Sequence, residues 1–169
     1  TSRLELAAGI DARRLLMADL GLEFAGLRGT LGFDLGRGLH SERLDATLWG
    51  RPLRAVIGAA APGSRRIAIG VDGTAELARV AQWLKWDTGE YLSGAAPFRL
   101  AIEQQEQHGF GFVLTSSLKG ALSTLPVPLA KEAAETLPLE LHWTPVERGT
   151  EIALQLGEQL KGALYRDAR

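Results

Sequence analysis

T-S-S-L-K-G-A-L-S-T-L-P-V-P-L-A-K-E-A-A-E-T-L-P-L, residues 115–139, is the stretch around which the chain is organised. It opens as the end of a strand, turns at Lys119-Gly120 and then stiffens. Pro126 and Pro128 each fix φ and remove a backbone donor, so no strand continues through them. Pro128 suits the first position of a helix, where its missing N–H would have had no partner. Leu129, Ala133 and Leu137 recur every four residues on one helical face and Pro138 closes the segment, which predicts a helix over 128–137. No acid, base or nucleophile constellation stands in it. The segment reads as a structural clasp made of a strand, a proline corner and a short amphipathic helix.

Outward from the clasp the pattern has period two. Residues 3–10 read as a strand, with Leu4 and Leu6 alternating against Arg3 and Glu5. Residues 11–14 read as a turn or strand edge, 15–18 as the next short strand, and Leu20, Leu22 and Phe24 continue the series. Leu31, Phe33 and Leu35 share one face against Gly32 and Asp34, and Gly36-Arg37-Gly38 makes the turn. Leu44, Ala46 and Leu48 form the next apolar face, and Gly50-Arg51-Pro52 leads into 53–59. Ile67, Ile69 and Val71 follow. Beyond them Phe98, Leu100 and Ile102, then Phe110, Phe112 and Leu114, flank a polar hairpin loop over 104–109. After the clasp come Leu139, Leu141 and Trp143, a turn at Glu147-Arg148-Gly149, then Ile152, Leu154 and Leu156. Leu160 and Leu164 read as a last strand before the charged tail 166–169. Asp72-Gly73-Thr74 interrupts the series and caps a helix start. Leu77, Val80, Ala81 and Leu84 then form an apolar stripe, which predicts a helix over 74–86 ending near Gly89.

The expected fold is a mostly β, extended antiparallel meander or curled sheet with two short helices, about 74–86 and 128–137, in a single β-rich segment over 1–169. Each strand has an apolar and a polar face, so the sheet carries a continuous apolar side that must be hidden. It either closes on itself like a sandwich or forms a trough occupied by something apolar. The helix at 74–86 is too short to cover it all.

Composition narrows the function. The 169 residues are 46% hydrophobic and 23% charged, which describes a folded chain rather than a disordered one. With 19 basic and 20 acidic residues interspersed, the net charge of −1 lacks the basic excess of a nucleic-acid module. Cysteine is absent, which excludes disulfides and thiolate metal sites. The most apolar run, 55–61, stops at Pro62 and falls well short of the roughly 20 residues a membrane helix needs. The chain begins Thr-Ser-Arg and reads as a piece of something longer.

Side chains with reactive chemistry are scattered. His40, His108 and His142 stand singly, without zincin spacing or a motif carboxylate, and read as surface or strand-edge residues. Ser116 and Ser117 lack a nucleophile elbow. Gly36-x-Gly38 and Gly109-x-Gly111 lack the Lys and following helix of a phosphate loop and read as hairpin turns. Trp49, Trp83, Trp86 and Trp143 read first as packing residues. Trp49, next to Leu48, is placed on the opposite face of its strand as a partly exposed belt residue.

Ser116, Leu118, Gly120, Leu125, Pro126, Pro128, Leu129, Lys131, Leu137, Pro138 and Leu139 together resemble the signature of AsmA-like proteins of the YhdP type, very long envelope proteins of Gram-negative bacteria. Leu92-Ser93-Gly94 with Phe98 and Leu100 resembles the lead-in to that signature. The resemblance implies an internal fragment of a periplasmic protein whose inner-membrane anchor lies outside these residues. It implies a non-enzymatic role, with no cofactor, in moving phospholipid towards the outer membrane and maintaining its permeability barrier. The partners would be phospholipid acyl chains and the remainder of the parent chain, with no nucleic acid.

On that reading Leu31, Phe33, Leu35, Ile67, Ile69, Phe110, Phe112 and Leu114 are the candidates to line an apolar groove. Leu118, Gly120, Leu125, Pro126, Pro128 and Lys131 carry the family motif. Lys131, in the first turn of the expected helix, faces the helix dipole unfavourably. Its ordinary partner is Glu135, four residues on; a lipid phosphate at the helix N-terminus is the alternative. A closed structural or protein-interaction module of the envelope is the competing function, and a hydrolase with an unrecognised site is a remote third.

Overall fold

A computed structural model describes residues 5–18, 21–105 and 109–167. Arg3, Leu4, Leu20, His108, the tip of the 104–109 loop and the last two residues of the charged tail lie outside the described residues. The strands are β1 (Glu5–Met17), β2 (Leu22–Asp34), β3 (Gly38–Leu48), β4 (Arg51–Ala59), β5 (Ile67–Glu76), β6 (Leu92–Gln104), β7 (Phe110–Ser116), β8 (Ala121–Ser123), β9 (Leu139–Val146), β10 (Gly149–Leu156) and β11 (Leu160–Asp167). One α-helix, α1 (Leu77–Trp83), and a 3-10 turn, Asp87–Tyr91, stand between β5 and β6.

The chain is mostly β, an antiparallel meander not closed into a barrel. Hydrogen-bonded neighbours run β1-β2-β3-β4-β5-β6-β7-β9-β10-β11, with β8 paired to β6. Two compact units divide it. One comprises Thr1–Asp72 and Ala101–Gly111, the other Gly73–Leu100 and Phe112–Arg169.

The strands are longer than their apolar runs. Of the two readings of 11–14, turn or strand edge, the turn does not form, and β1, the outermost strand, runs straight through. Asp11 and Arg14 are polar because they pair across the ladder, Asp11 with Arg28 at 3.4 Å and Arg14 with Glu23 at 2.6 Å. The hairpins follow local chemistry. Between β2 and β3 the Asp34 carboxylate accepts the N–H groups of Gly36 at 2.9 Å and Arg37 at 2.6 Å, an Asx turn closing the loop. Leu35 therefore sits in this turn rather than on the β2 face, and is 67% exposed. Between β3 and β4 the turn is Trp49-Gly50, with φ of 51° and 79°, while Arg51 and Pro52 already belong to β4. Two positive φ values in a two-residue loop match the twist of the flanking strands. Trp49 is thus a half-buried turn residue and not a belt residue on a strand face.

Both expected helices are corrected. The one over 74–86 shrinks to Leu77–Trp83, because residues 74–76 still belong to β5 and Glu76 is the N-cap. It stops before Gly89. Lys85 takes φ 56° while its N–H bonds to Gln82 O at 3.1 Å and that of Trp86 to Ala81 O at 2.9 Å. This bond pair is a Schellman cap. Ala81, 1% exposed, is the buried residue of this short helix.

The helix over 128–137 does not form. Ser116 and Leu139 are paired strand residues, so 117–138 is one loop closed at its base by β7 and β9. The backbone groups a helix would have used are engaged elsewhere. Ser123 and Lys131 exchange N–H···O bonds of 2.9 and 3.0 Å, Gly120 N–H donates to Ala133 O at 2.8 Å, and Leu137 N–H to Ser117 O at 2.9 Å. A helix of this length is marginal on propensity alone, so these long-range bonds prevail. Pro128 follows Val127 through a cis peptide bond and is not a helix N1 residue.

The β6–β8 pair brings two backbones together. Gly94 (φ 79°) pairs with Ala121 beside Gly120 (φ 96°). A β-carbon on Gly94 would collide with the Gly120 carbonyl, and one on Gly120 with the Ala95 carbonyl. Gly94→Ala is expected to destabilise the chain by about 2–3 kcal/mol through strain plus clash. Gly9→Ala, in open space within β1, should change it far less. Urea melts of the two variants check this, and equal midpoints would refute the close-approach account.

Candidate functional site

In the first unit, register places like beside like. Antiparallel partners share a face, so one row crosses four strands as Ile10–Gly29–Leu44–Ala55. Leu6–Phe33–Leu39 runs parallel to it, and Ala8–Leu31, Ala12–Leu27 and Ala46–Leu53 fill the same face. Leu44 and Leu53 are buried at its centre, while Leu6, Phe33 and Leu39 are 57%, 38% and 37% exposed. The apolar face is open towards its margin.

The opposite face of these strands alternates in charge along the row Asp11–Arg28–Asp45–Arg54. Arg43 and Arg54 both reach Asp45, at 2.6 Å and 3.7 Å respectively. The Arg43 hydrogen bond, with smaller Coulombic contributions from Arg43 and Arg54, lowers the Asp45 carboxyl below its ordinary range. At the β2–β3 hairpin, the Arg37 backbone N–H and then its guanidinium hold the Asp34 carboxyl at about 2. His40 lies over Gly32, where a β-carbon would strike its ring, and its Nδ1 meets Gly38 O at 3.0 Å.

The second unit repeats the division. Phe112–Trp143–Ile152–Leu164 is an unbroken apolar row, and Leu114–Leu141–Leu154–Gly162 lies beside it. Leu139, Leu156 and Leu160 extend the face by one more row. Phe112 and Trp143 stack with centroids 5.8 Å apart and planes at 9°. Leu164 and Leu160 at the edge are 62% and 39% exposed. Thr115–Glu140–Gln155–Lys161 runs along the other face, where His142 is hydrogen-bonded to Glu140.

The clasp braces this second sheet. Ser116 Oγ donates to Pro97 O at 2.7 Å and accepts Leu118 N–H at 3.0 Å, with Leu118 at φ 50°. Ser117 Oγ accepts Lys119 N–H at 3.4 Å. Both hydroxyls serve the turn. Lys131 is 5% exposed, and its Nζ donates to Ala121 O at 2.9 Å and Glu132 O at 2.8 Å. The Lys131–Glu135 pair expected from helical spacing is absent with the helix. Glu135 instead accepts Glu132 N–H at 2.9 Å. Lys131 is a buried bolt joining β8 to the loop, and it points at carbonyls rather than at any phosphate position.

Burial overall is slight. Only Leu44, Leu53, Ala81, Ala96 and Ala121 are buried hydrophobics among the described residues. The chain exposes 11833 Å², whereas about 8,100 Å² is usual for a folded monomer of its 18.2 kDa mass. Large apolar side chains in period-two rows are therefore left half open in both units. The family model of the YhdP protein matches residues 7–169. The chain belongs to the YhdP family. Comparison with curated proteins and with solved structures returned no match. Among the described residues of this YhdP-family chain, no helix is long and apolar enough to cross a membrane, and no group of three His, Cys, Asp or Glu side chains is placed to hold a metal ion.

Of the residues singled out from sequence, Leu31 and Phe33 share the open face of the first unit; Ile67 and Ile69 are half-buried in β5, and Phe110 is 51% exposed at the start of β7. Phe112 and Leu114 begin the rows of the second unit. The motif residues Leu118, Gly120, Leu125, Pro126, Pro128 and Lys131 all fall in the 117–138 segment, outside the strands that carry the apolar rows. Sequence reasoning left out Leu6, Leu39, Leu141, Trp143, Ile152 and Leu154. The alternation of all but Leu39 was visible, but which strands neighbour β2 and β7 was not.

Two outcomes are expected. Lys131→Met should destabilise by about 3 kcal/mol, since the buried Ala121 carbonyl and the part-buried Glu132 carbonyl lose a charged donor, whereas Glu135→Gln should shift the urea midpoint little. A large Glu135→Gln effect would restore the ion-pair account. For Asp34, the folded carboxyl titrates near 2, below its ordinary 3.8, so its contribution is present above the unfolded value and lost as pH falls through the folded one. The stability gap between the parent and Asp34→Asn should accordingly be full at neutral pH and close between about pH 4 and 2, as read by acid titration of the melting temperature.

Proposed function

We propose that the chain is a non-enzymatic, periplasmic segment of an inner-membrane-anchored envelope protein that carries phospholipid between the inner and outer membranes and supports the outer-membrane permeability barrier. Acyl chains lie against the apolar sheet faces while headgroups stay in water. The observation that carries this reading is the row Phe112–Trp143–Ile152–Leu164, continuous across four strands and still 62% exposed at Leu164. A face of that breadth left open to water calls for an apolar occupant. Hydrocarbon supplies one at about 0.8 kcal/mol per buried CH₂, with no catalytic group involved. Membership of the YhdP family supports the envelope setting.

The lining set is Leu31, Phe33, Ile67, Ile69 and Phe110 in the first unit and Phe112, Leu114, Leu141, Trp143, Ile152 and Leu154 in the second. Leu35 leaves the set because it belongs to a turn.

The test is solvent extraction of detergent-free protein followed by lipid mass spectrometry. Phospholipid near one per chain or above is expected. Phe33→Asp and Leu164→Asp, both at exposed positions, should lower the recovered lipid while the thermal transition stays cooperative. A lipid-free parent protein with a cooperative melt would sink the reading and leave a closed structural module.

A further inference from the structure

The charged face of the first unit holds a concavity of about 480 Å³ lined by β1, β2 and β3. A β-bulge shapes it. Between the pairs Gly29–Leu44 and Gly32–His40, β3 sets Ser41, Glu42 and Arg43 against Thr30 and Leu31 of β2. The register of β3 with β4 slips at the same place, between Ser41 and Leu44. Ser41, Glu42 and Arg43 therefore line one concavity in succession, which strict alternation along a strand would forbid. Glycine marks both ends of the bulge. A β-carbon on Gly29 would strike the Arg43 carbonyl, and one on Gly32 the His40 ring.

Three carboxylates (Glu5, Glu42, Asp45) and three guanidinium groups (Arg28, Arg37, Arg43) stand around it. They are not all spent on one another. Arg37 is committed to Asp34, and Asp45 to Arg43 and Arg54. Glu5 and Glu42 make no hydrogen bond or ion pair among the described residues. The Asp34 hydrogen bond raises the Arg37 guanidinium most, and Glu5 and Glu42 add smaller Coulombic contributions, which places both carboxylates near it. Arg28 and Arg43 each bond through Nε alone, to Asp11 at 3.4 Å and to Asp45 at 2.6 Å, and keep their terminal nitrogens. Ser41 is 2% exposed and its Oγ has no hydrogen-bond partner. A buried hydroxyl left unpaired is rare and costly, and calls for a partner from outside the chain. The spare groups are thus of both signs. Phe, Tyr and Trp are absent from the lining, so a quaternary ammonium finds no aromatic cage. An ammonium that carries N–H groups finds two carboxylates instead.

We propose that this concavity binds a small zwitterion with a primary ammonium and a phosphate, of the phosphoethanolamine type. The ammonium sits between Glu5 and Glu42. The phosphate takes the terminal nitrogens of Arg28 and Arg43, whose planar forks suit its oxygens, and the Ser41 hydroxyl completes the set. The inference goes beyond the carrier reading, since the charged face is not the face proposed for acyl chains.

Calorimetric titration of the 169-residue protein with O-phosphoethanolamine tests it, with phosphocholine, ethanolamine and inorganic phosphate as comparators. Saturable binding of phosphoethanolamine is expected, with each comparator weaker by about tenfold or more. Glu42→Gln and Arg28→Gln, both at exposed positions, should each weaken binding about tenfold with the melting temperature unchanged. Ser41→Ala should also weaken binding, while the ligand-free melting temperature holds or rises because an unpaired hydroxyl is gone. A merely structural serine would lower it. No saturable binding, equal affinity for inorganic phosphate, or a Glu42→Gln variant that binds like the parent would each overturn the site. Dihexanoyl phosphatidylethanolamine, kept below its micelle concentration, separates the sources. Tighter binding than the free compound identifies a lipid headgroup, and equal or weaker binding identifies a soluble ligand; both keep the zwitterion chemistry. A lipid-free parent that still binds phosphoethanolamine refutes the carrier and keeps this site, and lipid recovered from a parent that ignores phosphoethanolamine does the reverse.

Discussion

Antiparallel pairing obliges residues directly opposite one another to share a face, and the rest of this structure depends on that constraint. The chain alternates apolar and polar residues along nearly every strand, but alternation within a strand only creates two half-faces. Register turns them into surfaces. Ile10, Gly29, Leu44 and Ala55 come from four strands and stand in one line, as do Asp11, Arg28, Asp45 and Arg54 immediately behind them. A slip of one residue would place an arginine in the leucine row and a leucine in the charge row. The charge ladder therefore does more for specificity than for stability, since exposed ion pairs are individually weak.

The loop at 117–138 solves a different problem for the second unit. Its large apolar side chains are committed to an open face, and the hydrophobics it buries are alanines. Cohesion there comes from backbone bonds and from Lys131, whose ammonium spans Ala121 and Glu132. A buried lysine bound only by carbonyls is worth having where a short β8 strand and an irregular loop must hold one geometry, because its directional bonds define that geometry and an apolar side chain would not. Gly94 and Gly120 have the same purpose. They let two backbones approach more closely than any side chain allows.

These features divide what was legible in the sequence from what was not. Ile152, Leu154 and Leu156 announce their strand by period, and Phe112 with Leu114 announce theirs, because alternation is a local property. The apolar faces were legible in the same way, strand by strand. The helix expected from Leu129, Ala133 and Leu137 was wrong for a non-local reason. Ser123, Gly120 and Ser117 claim the backbone groups of 131, 133 and 137, and no window over 128–137 contains those competitors. Lys131 was misassigned to Glu135 by the same error, since an i, i+4 pair exists only if the helix does. Residues 11–14, read as a turn or strand edge, run on within the outermost strand β1, because Asp11 and Arg14 are polar for the sake of Arg28 and Glu23, partners more than eight residues away. Leu35 continued the spacing of Leu31 and Phe33 but fell one residue beyond the point where Asp34 closes its Asx turn.

A sheet whose apolar face remains half wet faces a standing hazard, since open apolar surface favours association with any other such surface. Two properties limit the outcomes here. The polar faces carry paired charges of both signs, so a wrong partner approaching from that side meets neither a greasy surface nor a single-sign field. The apolar faces are flanked by short, sharply defined hairpins at Trp49-Gly50 and at the Asp34 turn, which hold register without help from a packed core. The first unit can therefore keep Leu44 and Leu53 as a small anchor and leave Leu6, Phe33 and Leu39 at the margin. Under the proposed lipid-carrying role, flexible hydrocarbon would cover the exposed margin without needing the complementary shape a folded protein must supply. That role therefore turns on exposure at Leu6, Phe33 and Leu39 rather than on a preformed pocket.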